Sequence, residues 1–490
     1  MSSTYLGQKG YTIIKKSLSI QQQEEIREKL TALPFVPKTS MTKPVSFPIY
    51  RESQNKFYIP RFYGIQHYGQ PEESRITDGI DINIEFNGNL RKPQIPVVEK
   101  YLKHVNTHQC GLLDLYCGYG KTVLALNIIS KLKKKTLVIV HKEFLLNQWV
   151  ERIQQFLPTA RIGRIQGAIV DTDDKDIVIG MLQSISKKDY PYSLFQEFGF
   201  TIIDETHHIS AEVFSNSLFK IVTKYMLGLS ATMNRKDGLT NVFKMFLGDI
   251  VVKKKREDTT LVTVKAIEYH TGDEDFNETI YNFRGQTHYA LMISKLCKFN
   301  DRSEFILDIL KDTLKGAREK NEKMQVMILA HNKVLLHYLF DAINHRKIAS
   351  VGYYIGGMKK KDLKSSEDKQ VIIATYAMAE EALDIKSLTT LMMTTPKTDV
   401  TQAVGRILRS KEHKPLVIDI VDVHDIFQRQ WLKRKKFYLS NKYKIMYSTN
   451  YKSNQWEIIE SNKKQKNTSY VSQKNKKSKI TGVSILDAFD

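Results

Sequence analysis

The sequence predicts an α/β protein with two tandem parallel-sheet domains, an N-terminal accessory region and a basic tail. Three observations carry that prediction. Short apolar runs alternate with helical stretches over residues 90–255, the same alternation recurs after Asn321, and the chain beyond Tyr443 turns polar and Lys-rich. Buried parallel strands read as short, continuous β-rich runs rather than as alternating ones. A βαβ alternation folds into a doubly wound sheet.

Residues 1–89 are the accessory region, mixed in character, with scattered proline and aromatic residues. Within it Phe57-Tyr58-Ile59-Pro60-Arg61-Phe62-Tyr63 reads either as a strand edge or as an aromatic loop, and no motif there specifies a chemistry. Over residues 90–255 strands are expected at Leu112–Tyr116, Thr136–Val140, Ile177–Ile179, Thr201–Ile203 and Met226–Leu229. Thr122–Leu132 and Phe144–Phe156 have helical periodicity.

Residues 256–440 hold a connector and the second domain. The connector carries a strand at Leu261–Tyr269 followed by helices, and the domain has strands at Val326–Leu329, Val351–Tyr354, Val371–Ala374, Thr390–Met393 and Leu416–Ile420. Residues 441–490, with Lys463-Lys464-Gln465-Lys466 and Lys474-Asn475-Lys476-Lys477, are expected to be a disordered basic tail. Such a tail adds affinity for a polyanion, serves as a nuclear import signal, or keeps the chain soluble.

A length of 490 residues suits more than one domain with large buried cores. The formal charge is +22, from 75 Lys+Arg against 53 Asp+Glu, and an excess of that size concentrates and steers polyanions. Nucleic acid is therefore the leading partner, solvation being the plainer use of the charge. The 3 cysteines, Cys110, Cys117 and Cys297, have neither zinc-knuckle nor dithiol spacing, which points to a reducing compartment. Residues 1–16 lack a signal-peptide core, and no apolar run reaches the roughly 20 residues a bilayer crossing needs. A soluble, intracellular protein without a membrane partner is expected.

Asp114-Leu115-Tyr116-Cys117-Gly118-Tyr119-Gly120-Lys121-Thr122 follows a predicted strand and opens a predicted helix. Glycines there let backbone amides approach phosphate, and the helix N-terminus favours negative charge. Lys121 would neutralise β/γ-phosphate charge and the Thr122 hydroxyl would ligate Mg²⁺. The strict phosphate-loop pattern has glycine where this chain has Leu115. Further on, Thr201–Ile203 runs into Asp204-Glu205-Thr206-His207, which places two carboxylates at the C-terminal end of a strand, the edge where open α/β sheets bind ligands. Asp204 suits Mg²⁺ and Glu205 suits the attacking water, the simpler alternative being an acidic cap on the next helix.

These segments and others fall in an order that resembles superfamily 2 helicases. Leu90-Arg91-Lys92-Pro93-Gln94 is similar to the Arg-x-x-Gln element, with Arg91 and Gln94 implied in ATP binding and Gln94 at the adenine edge. Cys117–Thr122 looks like motif I, His141-Lys142 through Gln148-Trp149 like motif Ia, Gln183-Ser184 like a backbone-contacting element, Asp204–His207 like the DExH motif II, and Ser230-Ala231-Thr232 like motif III. In the second domain Val326–Asn332 resembles motif IV, and Ala374-Thr375 through Glu381-Ala382-Leu383-Asp384 resembles motif V, with Ala382 where glycine is usual. Gln402-Ala403-Val404-Gly405-Arg406-Ile407-Leu408-Arg409 resembles motif VI. The resemblance spans Leu90–Tyr438. The stretch Gly228–Leu239 is similar to XPB-type helicases, phage UvsW enzymes and transcription-associated helicases of large DNA viruses, although Arg235-Lys236-Asp237 stands where XPB-type enzymes have Arg-Glu-Asp.

The resemblance implies two RecA-like domains sharing ATP and Mg²⁺ in the cleft between them. It implies ATP binding by Cys117, Gly118, Tyr119, Gly120, Lys121, Thr122 and Asp384. Catalysis is implied for Lys121, Asp204, Glu205, Gln402, Arg406 and Arg409, with metal held at Thr122 and Asp204. His207, Ser230 and Thr232 are implied in coupling, Ser230 and Thr232 either bridging the cleft or capping a helix. Lys142, Gln183, Ser184 and Thr375 are implied in gripping the strand. The expected activity is an ATP-dependent DNA helicase or translocase acting in transcription or repair, with RNA as the alternative substrate and a nucleic-acid-binding scaffold with weak ATPase as the alternative from another class. A monomer is expected, in the cytoplasm or nucleus of a host cell or packaged in a virion.

Overall fold

The structure, a computed structural model, describes residues 3–33, 45–116, 118–205, 211–231, 240–254, 262–381, 385, 387–407 and 415–460. Two eight-stranded sheets dominate it. In the first, the strands run in the order Ile169–Asp171, Ile162–Gln166, Ile177–Met181, Thr136–Val140, Phe200–Ile203, Tyr225–Ser230, Cys110–Leu115 and Ile250–Lys254. Only the pairing of the first two is antiparallel. The strands Cys110–Leu115, Thr136–Val140 and Phe200–Ile203 are buried throughout, which is why they read as unbroken apolar runs. The hairpin of Ile162–Gln166 and Ile169–Asp171 escapes that reading because its partner strand is fully exposed.

Each face of this sheet has its own core. On one, Val97, Tyr101, Leu124, Ile128, Trp149 and Ile153 of the helices Ile95–His108, Lys121–Leu132 and Glu143–Phe156 pack on Leu113, Leu115, Val138 and Val140. The other core joins Leu112, Leu137 and Ile139 to Phe214 and Phe243, and also to Tyr11, Ile13, Phe57 and Ile59 from the N-terminal region.

That region is a five-stranded sheet in the order Arg51–Glu52, Lys56–Ile59, Gly10–Ile14, Thr4–Gly7 and Glu73–Ser74. The aromatic stretch left open by sequence is both strand and helix. Lys56–Ile59 alternates to bury Phe57 and Ile59, and after Pro60 the helix Arg61–Tyr68 begins. Arg61 is itself buried and donates to Cys110 Sγ and the Lys224 carbonyl, both at 3.3 Å, which stitches this region to the first α/β domain. The expected boundary at residues 89/90 lies too late. Ile82 and Ile84 are part of the first domain's core, and Ile82 N donates to Lys133 O at 3.0 Å.

The second sheet runs Val351–Tyr354, Val371–Thr375, Val326–Ala330, Thr390–Met393, Leu416–Asp422, Thr263–Tyr269, Lys444–Ser448 and Glu457–Ile459, with only the last pair antiparallel. Two expectations change here. The connector strand lies inside the sheet, hydrogen-bonded to Leu416–Asp422 on one side and Lys444–Ser448 on the other. The tail is also not wholly a tail, because residues 444–459 supply the last two strands. The strand Lys444–Ser448 buries only Ile445 and Ser448, so its sequence carries little apolar signal. Both lysine runs of the tail lie outside the described residues. Among the described residues no helix is long and apolar enough to cross a membrane.

Candidate active site

Because the strands of the first sheet are parallel, their C-terminal ends gather the chain segments with chemical potential on one edge. Leu115 leads into the phosphate loop, Val140 into His141-Lys142, Met181 into Leu182–Ser184, Ile203 into Asp204-Glu205, and Ser230 closes the strand Tyr225–Ser230. That last strand lies between Cys110–Leu115 and Phe200–Ile203. The buried Ser230 therefore separates the phosphate loop from the carboxylates by one strand width.

In the phosphate loop Gly118 and Gly120 have φ of 84° and 88°, the left-handed region that glycine enters without steric cost. Gly120 immediately precedes the helix Lys121–Leu132, so the loop's amides sit at the positive end of the helix dipole. Leu115, which stands where the strict pattern has glycine, is the last strand residue with its side chain in the core, so no unusual backbone is demanded there. Cys117 lies outside the described residues.

Arg91 and Gln94 close on this loop. Gln94 Nε2 donates to Tyr119 O at 2.9 Å, and its Oε1 accepts from Arg91 N at 2.8 Å. The Arg91 guanidinium donates to the carbonyls of Gly118 and Tyr119. The Tyr119 hydroxyl donates to Pro93 O at 2.6 Å. Here the Gln94 amide is only 3% exposed and is committed to the loop backbone rather than presented to a base. A β-carbon on Gly120 would meet Gln94 Nε2 at 2.5 Å and an Arg91 guanidinium nitrogen at 2.9 Å. Gly120→Ala is therefore expected to cost about 1–2 kcal/mol from φ alone and to displace both side chains. A thermal melt would show the first loss, and a fluorescent-nucleotide titration the weakened binding.

The carboxylates emerge where the strand Phe200–Ile203 ends, with Asp204 N still donating to Ile139 O at 3.0 Å. Asp204 Oδ2 accepts from the indole Nε1 of Trp149 at 2.9 Å, and Oδ1 accepts from Glu205 N at 2.9 Å. Burial, and then the neighbouring Glu205 charge, push Asp204 up to about 6 against the opposing pull of Lys121 and the Trp149 hydrogen bond. Glu205 turns away on a left-handed backbone, φ 50°, and its Oε1 lies 3.3 Å from Lys121 Nζ. The structure thus unites the loop lysine and the acidic pair, 84 positions apart in the chain, in one pocket edge. Trp149, placed by sequence only at the end of the motif Ia stretch, joins the site through this contact with Asp204, which sequence reasoning missed. Its signal was a polar N–H in an otherwise apolar helix face, since a buried indole needs an acceptor.

The donor set fits a nucleotide with a hard divalent cation. One buried carboxylate and the Thr122 hydroxyl at the helix start are oxygen ligands of the kind Mg²⁺ takes together with waters and phosphates. Among the described residues no group of three or more His, Cys, Asp or Glu forms an all-protein cage.

The residues assigned to strand contact occupy the same edge. Lys142 begins the helix Glu143–Phe156, and Gln183 Nε2 donates to His141 O at 2.8 Å, which joins two of those segments. Ser184 Oγ accepts from Gly167 N at 2.9 Å, so its hydroxyl braces the turn between Ile162–Gln166 and Ile169–Asp171. In the second sheet Thr375 ends the strand Val371–Thr375, at the edge where His331 follows Val326–Ala330. Gln402 and Arg406 lie on the helix Thr401–Ile407, the Arg406 side chain being outside the described residues. His207, Thr232, Asp384 and Arg409 also lie outside them.

Two buried ion pairs support this second edge, and neither was legible in sequence. Arg302 forks onto Asp422 at 2.6 and 2.8 Å and donates to Thr394 O at 2.8 Å. Arg434 forks onto Asp419 at 2.7 and 3.0 Å and donates to Lys397 O at 2.8 Å. Both guanidiniums therefore grip the backbone of residues 394–397, which leads into the helix carrying Gln402 and Arg406.

The sequence profile of the family described as "Type III restriction enzyme, res subunit" matches residues 87–235. "Putative ATP-dependent RNA helicase L396" of Acanthamoeba polyphaga mimivirus is 34% identical over 450 residues, covering 89% of this chain and 85% of that protein. The chain belongs to the superfamily 2 helicases. More distant relatives of this helicase include "Putative helicase 161L" of Invertebrate iridescent virus 6, 25% identical over 73% of this chain and 82% of the relative. "Putative ATP-dependent RNA helicase QP509L" of African swine fever virus is 25% identical over 75% of each chain. A solved structure titled "The crystal structure of T4 UvsW" aligns over 91% of this helicase and 99% of that chain at 16% identity, with a TM-score of 0.34. As a member of this family the helicase is an ATP-hydrolysing, nucleic-acid-dependent enzyme.

Proposed function

We propose that this helicase is a DNA-directed translocase that serves transcription or repair, with ATP hydrolysed on Mg²⁺ at the edge built by Lys121, Thr122, Asp204 and Glu205. The observation that carries the reading is the 3.3 Å approach of Lys121 Nζ to Glu205 Oε1 beside the buried Asp204. A cation for phosphate, an oxygen ligand for metal and a base for water stand together there, as in-line phosphoryl transfer requires. Thr122 and Asp204 would hold the metal, which would supply charge neutralisation for the phosphates. Lys121 binds phosphate oxygens and Glu205 takes the proton from water. Gln402, Arg406 and Arg409 complete the site from the second domain, and closing and opening of the domains steps the protein along a strand gripped at Lys142, Gln183, Ser184 and Thr375.

DNA is favoured by the stretch Gly228–Leu239, which is similar to DNA enzymes. A reading with RNA as substrate is favoured by the names of the mimivirus and African swine fever virus relatives. Phosphate release with single-stranded DNA and RNA of equal length tests the choice. Stronger stimulation by DNA is expected, and stimulation confined to RNA would overturn it.

The acidity of Asp204 makes a second measurable prediction. Its folded pKa, about 6, lies above the ordinary carboxylate value, so the stability it contributes is present at low pH and is lost as pH rises through 6. Metal needs the ionised carboxylate, so binding below pH 6 releases a proton. Affinity for Mg²⁺–nucleotide is expected to fall about tenfold per pH unit below that point. Titrations with a fluorescent nucleotide from pH 5 to 8 would read it.

A further inference from the structure

The most exposed large apolar side chain among the described residues is Phe283, at 80%, with Tyr281 nearby at 62%. Both lie on a small hairpin between the helices Glu274–Asn277 and Tyr289–Lys298. The hairpin is tightly built. Asn282 N donates to Gln286 O and His288 N to Ile280 O, each at 2.7 Å, and Tyr281 bridges Thr287. At the tip Gly285 N donates to Asn282 O at 2.9 Å, and Asn282 Oδ1 accepts from Arg284 N and Gln286 N at 2.9 and 3.0 Å. Gly285 supplies the φ of 69° that closes the turn. The Arg284 guanidinium sits 5.2 Å from the Phe283 ring centroid.

The hairpin is anchored to the part of the second domain that leads to the motif VI helix. The Tyr289 hydroxyl at its base donates to Pro396 O and accepts from Gln430 Nε2, both at 3.3 Å. Pro396 lies in the segment that Arg302 and Arg434 hold. The hairpin also comes after the strand Thr263–Tyr269 in the chain, and the C-terminal end of that strand is at the same edge as Thr375.

We infer that this hairpin is a base-stacking element, with Phe283 as the platform and Arg284 beside it, engaging an unpaired nucleobase of the strand that crosses the second domain. The inference rests on the helicase reading above. Aromatic platforms bind single strands because every base offers a flat face, and an adjacent guanidinium strengthens the contact. A preformed tip loses little entropy on binding.

The test compares binding of two labelled single-stranded DNA probes of equal length, one with bases and one with abasic sites, by the full chain and by Phe283→Ala, Phe283→Trp and Arg284→Ala. The wild type is expected to prefer the base-bearing strand roughly ten- to hundredfold. Phe283→Ala should bind both alike and Phe283→Trp should restore the preference. Arg284→Ala should fall between them. For the Phe283 variants the salt dependence of binding should stay the same, because no cationic group is removed. Unchanged thermal unfolding would exclude a folding defect. Phe283→Ala discriminating as the wild type does would overturn the inference. So would an effect confined to sedimentation behaviour, which would make the hairpin a contact between protein copies. A wild type that neither binds strands nor hydrolyses ATP in response to them fails differently, at the helicase reading itself.

Discussion

Lys121→Ala is expected to lower ATP turnover on the order of 10²–10³-fold or more, with and without nucleic acid, while the fold survives. The lysine starts the helix Lys121–Leu132, and its ammonium lies 3.3 Å from Glu205 Oε1. Alanine keeps the helix start, since it is the best helix former. It removes the charge that meets the phosphate oxygens of bound ATP and that stabilises the transferring phosphoryl further in the transition state. The same substitution removes one of the influences that hold Asp204 down, so that carboxyl moves further up and the acid limb of nucleotide binding shifts to higher pH. Steady-state phosphate release with a saturating strand reads the first effect, and nucleotide titrations across pH read the second. Turnover within a factor of a few of wild type would remove Lys121 from the site.

Arg434→Ala should produce the largest loss of stability, about 3–5 kcal/mol, because it leaves Asp419 charged and buried without its partner. Burial alone would weaken the Arg434 cation, but the fork onto Asp419 more than offsets it. Tyr438 also donates to Asp419 Oδ2 at 2.9 Å, so three hydrogen bonds from two side chains converge on that carboxylate. The paired change Arg434→Met with Asp419→Leu should recover much of the stability, as apolar replacements of buried ion pairs do. It should not recover full turnover, because the hydrogen bond to Lys397 O is still missing and the approach to Gln402 and Arg406 loosens. Denaturant unfolding against strand-stimulated phosphate release separates the two losses. Full turnover in the double variant would make Arg434 purely structural.

These two predictions differ in how far sequence alone could reach them. Lys121 was legible because a phosphate loop is a local device. Its glycines, its lysine and its position between an apolar run and a helical one are all neighbours in the chain, and the backbone conformation they demand can be read from residue types. Asp204 and Glu205 were legible for the same reason, standing at the end of the run Thr201–Ile203. Arg434 was not. It reads as one more basic residue in Lys433-Arg434-Lys435-Lys436, and only its burial against a strand separated from it by a loop distinguishes it. Arg302 was hidden in the same way, on a helix whose apolar residues explain the pattern without it, and so was the pairing of Trp149 with Asp204.

The limits of the domains follow the same division. Fully buried strands such as Thr136–Val140 and Val371–Thr375 declared themselves, because water excluded from both faces leaves a run of apolar residues. The strand Lys444–Ser448 did not, since it lies near the edge of its sheet and needs few inward side chains. The N-terminal strands looked like a separate region because their apolar residues serve a core shared with a sheet that begins some fifty residues later.

By itself, then, the amino-acid sequence determined the two α/β units, the phosphate loop, the acidic strand end and the order of the helicase motifs. Each is encoded by residues close together in the chain. The tertiary structure decided that Lys121 meets Glu205, that Trp149 holds Asp204, that Gln94 closes on the loop, and that Arg302 and Arg434 brace the second edge. Those contacts depend on which side chains share a buried volume, and burial is a property of the packed sheets rather than of any short stretch of sequence.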